Sequence, residues 1–230
     1  MSRGLKIFLL AGVQTKPSAF QALSEQLKER LALRGFMPEI EILFPYGDAE
    51  RKLWKQVLEV GIDLRYKGFY KGIGGKKVWH LVEPHIHSSK LLFIGHSGGG
   101  IAAYQIAKHI YHLYQSHFES LGVIQIGSPK IKIANPLKNH VAYIHAIDEQ
   151  GQLKDPISKL GNWGGWNAKA KPMRIFWDKH KHAPKHVHGI ETIGGHADYF
   201  RIAPTFRDAQ QRCNLDKTMQ SIEKWLNEWL

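Results

Sequence analysis

Gly95-His96-Ser97-Gly98-Gly99 sets a serine among glycines in a G-x-S-x-G spacing. Residues 91–94 (LLFI) before it are apolar and β-rich, and residues 98–114 after it are apolar at helical spacing. The context predicts a strand, a sharp turn carrying the serine, and a helix. Such a turn holds the serine in a strained backbone conformation with its hydroxyl above the sheet. Flanking glycines remove side chains that would strike the adjacent strand or helix. The chemistry is nucleophilic attack on a carbonyl, with the Gly98 N–H at the helix start aimed at the developing oxyanion. One such donor is worth roughly 2.7–4 kcal/mol in the transition state. A phosphate-binding loop is excluded, because Ile101-Ala102 stands where a P-loop needs Lys and Ser or Thr.

An elbow serine needs a general base and an acid, following it in the order Ser, Asp or Glu, His. Of the 14 histidines, His196 fits best. It lies in Gly194-Gly195-His196-Ala197-Asp198-Tyr199-Phe200, a glycine-flanked loop after the β-rich residues 188–193. His96 adjoins the serine, so its side chain is expected to point elsewhere. Two acids stay open. Asp148 directly ends a strand-like run (VAYIHAI, 141–147), whereas Asp155 comes seven residues later in Asp155-Pro156-Ile157. Position favours Asp148 and local sequence favours Asp155, which is preferred. The other is expected to cap a turn. The second oxyanion donor should come from the loop after the first strand, where Gly12 permits a turn and Val13 or Gln14 offers an N–H.

The elements that must position these residues alternate along the chain. Residues 5–11 (LKIFLLA), 39–44, 91–94, 122–126 and 141–147 read as strands, with residues 174–177 or 186–192 as a sixth. Residues 17–33, 49–64, 77–87, 98–114 and 216–230 read as helices. Near-continuous apolar strands alternating with helices predict an α/β fold: a mostly parallel sheet with helices on both faces. Ligands in such sheets bind at the carboxyl ends of the strands, where the candidate residues fall.

The 230 residues, 43% hydrophobic and 23% charged, suit one folded domain over 1–230. Residues 1–14 read as a first core strand rather than a targeting segment. The lone Cys213 excludes an intramolecular disulfide and suits a reducing, cytoplasmic setting. A net charge of +12 is compatible with anionic substrates or peripheral contact with an anionic membrane surface, but the basic residues are spread with no run of five or six and read first as a solvated basic surface. No nucleic-acid motif accompanies it, so no nucleic-acid partner is expected. His180, His182, His186 and His188 lie close together but among lysines, which repel a cation, so no metal is expected. Trp163 and Trp166 sit in a glycine-rich stretch and read as packing residues or as the lining of an acyl pocket.

These residues together resemble the α/β-hydrolases, and over residues 90–200 the fungal-type (class 3) lipases and bacterial lipase-like serine hydrolases. Gly95–Gly99 is similar to their G-H-S-x-G elbow, and Gly127-Ser128-Pro129-Lys130 to their G-S-P-R segment. Asp155-Pro156-Ile157 is similar to the D-P-V at their acid, and His196-Ala197-Asp198-Tyr199-Phe200 to the H-x-D-Y-F at their histidine. The resemblance implies a compact α/β-hydrolase fold, a Ser97–Asp155–His196 triad, an ester or acyl substrate and no cofactor. The same triad would serve a thioesterase or acyltransferase, and a hydrolase fold can also bind anionic partners without catalysis. Two stretches, 162–166 (NWGGW) and 68–75, could cover the site.

Overall fold

The computed structural model describes residues 3–65, 69–88, 90–115, 117–169 and 174–230. Its centre is a six-stranded, all-parallel sheet of β1 (Arg3–Leu10), β2 (Phe36–Leu43), β3 (Lys90–His96), β4 (Ser120–Ile126), β5 (Val141–Ile147) and β8 (His186–Glu191). The strand order is β2-β1-β3-β4-β5-β8. Every residue of β3 is buried, as expected of a parallel strand covered on both faces. The edge strand β2 alternates in burial instead.

Alternating side chains send each strand's residues to two cores. On one face Ile7, Leu9, Ile94 and Ile124 meet Leu23 and Leu27 of α1 (Gln21–Ala32) and Met219, Ile222 and Trp225 of α5 (Asn214–Trp229). On the other, Phe8, Leu10, Phe93 and Val123 meet Val78 and Val82 of α3 (Gly74–Val82) and Ala103, Ile106 and Ile110 of α4 (Gly98–Leu113). The fifth helix, α2 (Leu53–Arg65), packs Val60 against the latter core. The expected α/β architecture, with helices on both faces, is the one observed.

The sheet order reverses at β1: the chain runs outward to β2 by way of α1, then returns to β3 on the other side of β1. The carboxyl ends of β1 and β3 therefore flank a topological switch point, where sheets of this kind bind ligands.

Of the two candidates for the sixth strand, residues 186–191 join the sheet. The other forms part of a separate antiparallel hairpin, β6 (Gly165–Lys169) with β7 (Arg174–Asp178). The 162–166 stretch read as a loop thus enters a strand at Gly165. Trp163 is buried edge-on to Tyr143, with ring centroids 4.9 Å apart, while Trp166 packs on Trp177 at the exposed hairpin surface. Within the 68–75 stretch, Gly74 and Gly75 open α3, and Gly68 lies outside the described residues. No helix among the described residues is long and apolar enough to cross a membrane.

Candidate active site

Ser97 stands between β3 and α4 with φ 55° and ψ −130°, a left-handed conformation that few non-glycine residues adopt. The turn is affordable because its neighbours have no side chains. A Cβ on Gly95 would lie 2.4 Å from the Gly99 carbonyl oxygen, and one on Gly99 would lie 2.1 Å from the Leu10 carbonyl oxygen. The Ser97 N–H donates to the Ile126 carbonyl (3.0 Å), which ties the turn to β4.

Asp155 returns to the sheet by a short excursion after β5. Ile147 pairs antiparallel with Leu153, and the Lys154 N–H donates to the Ala146 carbonyl (3.0 Å). The seven residues after the strand end are thus a doubling back that brings Asp155 to the strand's carboxyl end. Asp148 is consumed inside that excursion: its Oδ1 accepts the N–H groups of Gln150 (3.0 Å) and Gln152 (2.8 Å). Asp148 caps the turn and is not the partner of His196.

His196 Nδ1–H donates to Asp155 Oδ2 at 2.9 Å. The same oxygen accepts the Tyr199 hydroxyl (2.8 Å) and the Ser158 hydroxyl (3.2 Å), while Oδ1 accepts the Ile157 N–H (2.9 Å). Burial works to raise the Asp155 pKa, but the hydrogen bond and charge of His196, with the Tyr199 and Ile157 donors, outweigh it and lower it. Burial, reinforced by the Asp155 charge, raises the Tyr199 phenol, so Tyr199 remains a donor. An ionised carboxylate on Nδ1 fixes the tautomer and leaves Nε2 of His196 as the proton acceptor. No hydrogen bond joins Ser97 to His196 among the described residues; nucleophile–base contacts commonly tighten only with substrate bound.

The His196 loop is held at both ends by one side chain. Fully buried Asn214, at the start of α5, donates to the carbonyls of Ile193 (2.7 Å) and Asp198 (2.8 Å) and accepts the Ile193 N–H (2.9 Å). Within the loop, Gly194 has φ +93°, and Asp198 Oδ2 accepts the Gly195 N–H (2.8 Å).

His96 was expected to point away, and it does not. Its ring stacks on that of His196 with centroids 4.9 Å apart and planes at 22°, and its Nε2–H donates to the His196 carbonyl (3.0 Å). Burial, then the neighbouring His196, lower the His96 pKa to about 4, so its imidazole stays neutral and does not compete for the proton. His96 thus touches His196 through both its ring and its Nε2–H. The x of G-x-S-x-G carried no signal for it; only the proximity of the two loops does.

Gly12 lies against Ser97: a Cβ there would stand 2.6 Å from Ser97 Cβ and 3.1 Å from Ser97 Oγ. Of the two proposed oxyanion donors in this loop, Gln14 is ruled out, because its N–H donates to Gln56 Oε1 (2.9 Å) in α2. The Val13 N–H makes no hydrogen bond to a described residue. It is the candidate that remains beside the Gly98 N–H. Gly98 itself packs against Val60 and Tyr46.

The histidines of the 180–188 stretch are dispersed. His188 Nδ1 lies 3.0 Å from Ser221 Oγ, His186 lies 3.6 Å from Glu228, and no group of three potential metal ligands is found among the described residues.

No protein-family model and no curated protein sequence matches the chain. Solved structures do. A dienelactone hydrolase-like promiscuous phosphotriesterase from metagenomic libraries matches 100% of this chain and 88% of its own, at TM-score 0.53 and 11% identity. A type II thioesterase of the yersiniabactin biosynthetic pathway matches 98% of this chain and 94% of its own, at TM-score 0.46 and 11% identity. The RedJ thioesterase of prodiginine biosynthesis in Streptomyces coelicolor is 17% identical at TM-score 0.35, over 56% of this chain and 43% of its own. At 11% identity the likeness to the dienelactone hydrolase-like enzyme is one of fold, an α/β-hydrolase-type parallel sheet in the order β2-β1-β3-β4-β5-β8 with helices on both faces.

Proposed function

We propose that the protein is a serine hydrolase that cleaves carboxylic esters through an acyl-enzyme intermediate. The observation that carries this reading is buried Asp155 held 2.9 Å from half-buried His196, whose ring stacks on His96, the neighbour of a serine held at φ 55°. Ser97 Oγ attacks the acyl carbonyl while His196 Nε2 takes its proton. Asp155 stabilises the imidazolium that forms, and the Gly98 and Val13 N–H groups receive the oxyanion. His196 then gives the proton to the leaving alkoxide, and water, activated by the same imidazole, releases the acid. The steps need no group beyond the chain's own residues. The local likeness to class 3 lipases supports an acyl ester as the substrate class, and thioesters are open to the same attack.

A fluorophosphonate probe should label the wild type and not Ser97→Ala. A folded wild type that resists labelling refutes the reading. Asp155→Asn should lower kcat by about 10⁴, the scale for a lost tautomer-fixing carboxylate. Asp148→Asn should retain most of the turnover of p-nitrophenyl butyrate. The reverse ranking would transfer the role to Asp148.

A further inference from the structure

Four chain segments that run on from the candidate site line a cavity of about 390 Å³, reached on α4 one helical turn after Ser97. On α4, Ile101 follows Ser97 by four residues. On α2, Asp63 and Leu64 follow Val60, which covers Gly98. After β4, Lys130 and Lys132 follow Gly127, whose Cα position faces Asp155 Oδ2 and Tyr199. Beyond the acid, Leu160 follows Asp155. The volume suits a small-molecule site, and most of the wall is apolar, with Leu64, Ile101, Tyr104 and Leu160.

Among the polar residues of the wall, Asp63, Gln105, Asn162 and two lysines, the lysines are its cations. They lie two residues apart in the segment after β4, both line the cavity, and both are half-buried. Neither forms an ion pair with a described carboxylate. The Lys130 ammonium lies 5.3 Å from the centre of the Trp163 ring, and burial alone lowers its pKa. A partly desolvated ammonium without a counter-charge is costly to hold. The one carboxylate in the wall offers no relief, because Asp63 is already engaged by the Tyr46 hydroxyl (2.8 Å) and the N–H groups of Ile73 (2.6 Å) and Gly74 (2.9 Å).

We propose that this cavity is a subsite for an anionic group on the substrate, a carboxylate held by Lys130 and Lys132 while the apolar wall takes the linking chain. The substrate class is then an ester that carries a second, ionised acid group. This assignment rests on the hydrolase reading above, so its test has one arm that needs catalysis and one that does not.

Without catalysis, Ser97→Ala should bind monomethyl adipate at least about tenfold more tightly than dimethyl adipate, the scale of a charge-assisted hydrogen bond. Calorimetry reads the difference. That preference should collapse in Ser97→Ala carrying Lys130→Gln and Lys132→Gln, and persist with Lys130→Arg and Lys132→Arg. Should the double glutamine variant fail to fold, Lys132→Gln alone and 0.5 M NaCl should each weaken the preference. With catalysis, the ratio of kcat/KM for p-nitrophenyl hydrogen adipate over p-nitrophenyl methyl adipate should fall by about tenfold on the double glutamine change. Equal binding of the two adipates, or a preference that survives the loss of both lysines, overturns the subsite. Selective binding without turnover of either ester refutes the hydrolase reading and leaves the subsite standing.

Discussion

At the scale of single residues, the decisive group is Asp155, a carboxylate kept ionised in a place that burial alone would neutralise. Tyr199 is one of its counterweights, and its oxygen also accepts the Ala146 N–H at 2.8 Å. Tyr199→Phe removes a donor from Asp155 and orphans a buried backbone N–H. We expect a stability loss of about 1–3 kcal/mol from the orphaned group. With one counterweight gone, the Asp155 pKa rises, so the part of the acid limb that comes from protonating Asp155 moves to higher pH. Urea titrations and a pH profile read the two effects separately; an unmoved acid limb would reduce Tyr199 to a packing role. At this scale Ser97 and His196 were legible because each sits in a glycine-marked turn after an apolar strand. Asp155 was legible only as one of two acids. Its rival Asp148 lies nearer the strand end, and the hairpin that returns the chain, closed by Ile147 and Leu153, leaves no composition signal. His96 could not be found at all, since its role depends on a loop 100 residues away.

At the scale of elements, the site depends on how the His196 loop is moored to α5. Asn214 makes three hydrogen bonds across the loop's ends and sits directly after Cys213, the cap residue whose N–H donates to Asp216 Oδ2 at 2.9 Å. Asn214→Ala leaves Ile193 and Asp198 with unsatisfied groups, at a cost of about 1–3 kcal/mol for each one that stays buried. Because the loop carries His196, the proposed base, the same substitution should lower kcat more than it raises KM. Faster amide exchange confined to residues 193–198 would accompany that loss; a drop in melting temperature with kcat intact would reject the mooring role. The strands and helices around this mooring were readable because buried parallel strands are continuous apolar runs, and α5 repeats its apolar residues at helical spacing. The β6–β7 hairpin was not, because its exposed Trp166 and Trp177 pair across strands and obey no burial pattern.

For the whole molecule, the question is what a chain of net charge +12 with 14 histidines does as the pH falls. His96 and His145 are both depressed to about 4, by burial first and then by nearby positive groups, His196 for one and Lys130 for the other. A histidine whose folded pKa is lowered stays neutral in the native state while its unfolded counterpart protonates below about 6.5. The unfolded state therefore binds more protons between pH 6.5 and 4, and stability falls with pH across that window. For the buried His96 alone the loss is of the order of 3 kcal/mol. Asp155, with its lowered pKa, adds a further loss only as the pH drops through the carboxylate range, where its paired, ionised form is protonated. Self-repulsion of a basic chain also weakens the fold in acid, but salt screens it, whereas the penalty for protonating a buried imidazole is desolvation and persists. Urea unfolding at pH 7, 5.5 and 4.5, with and without 0.5 M NaCl, separates the two. If buried histidines govern the decline, most of it survives in salt. Stability restored by salt at pH 4.5 would assign the loss to net charge instead.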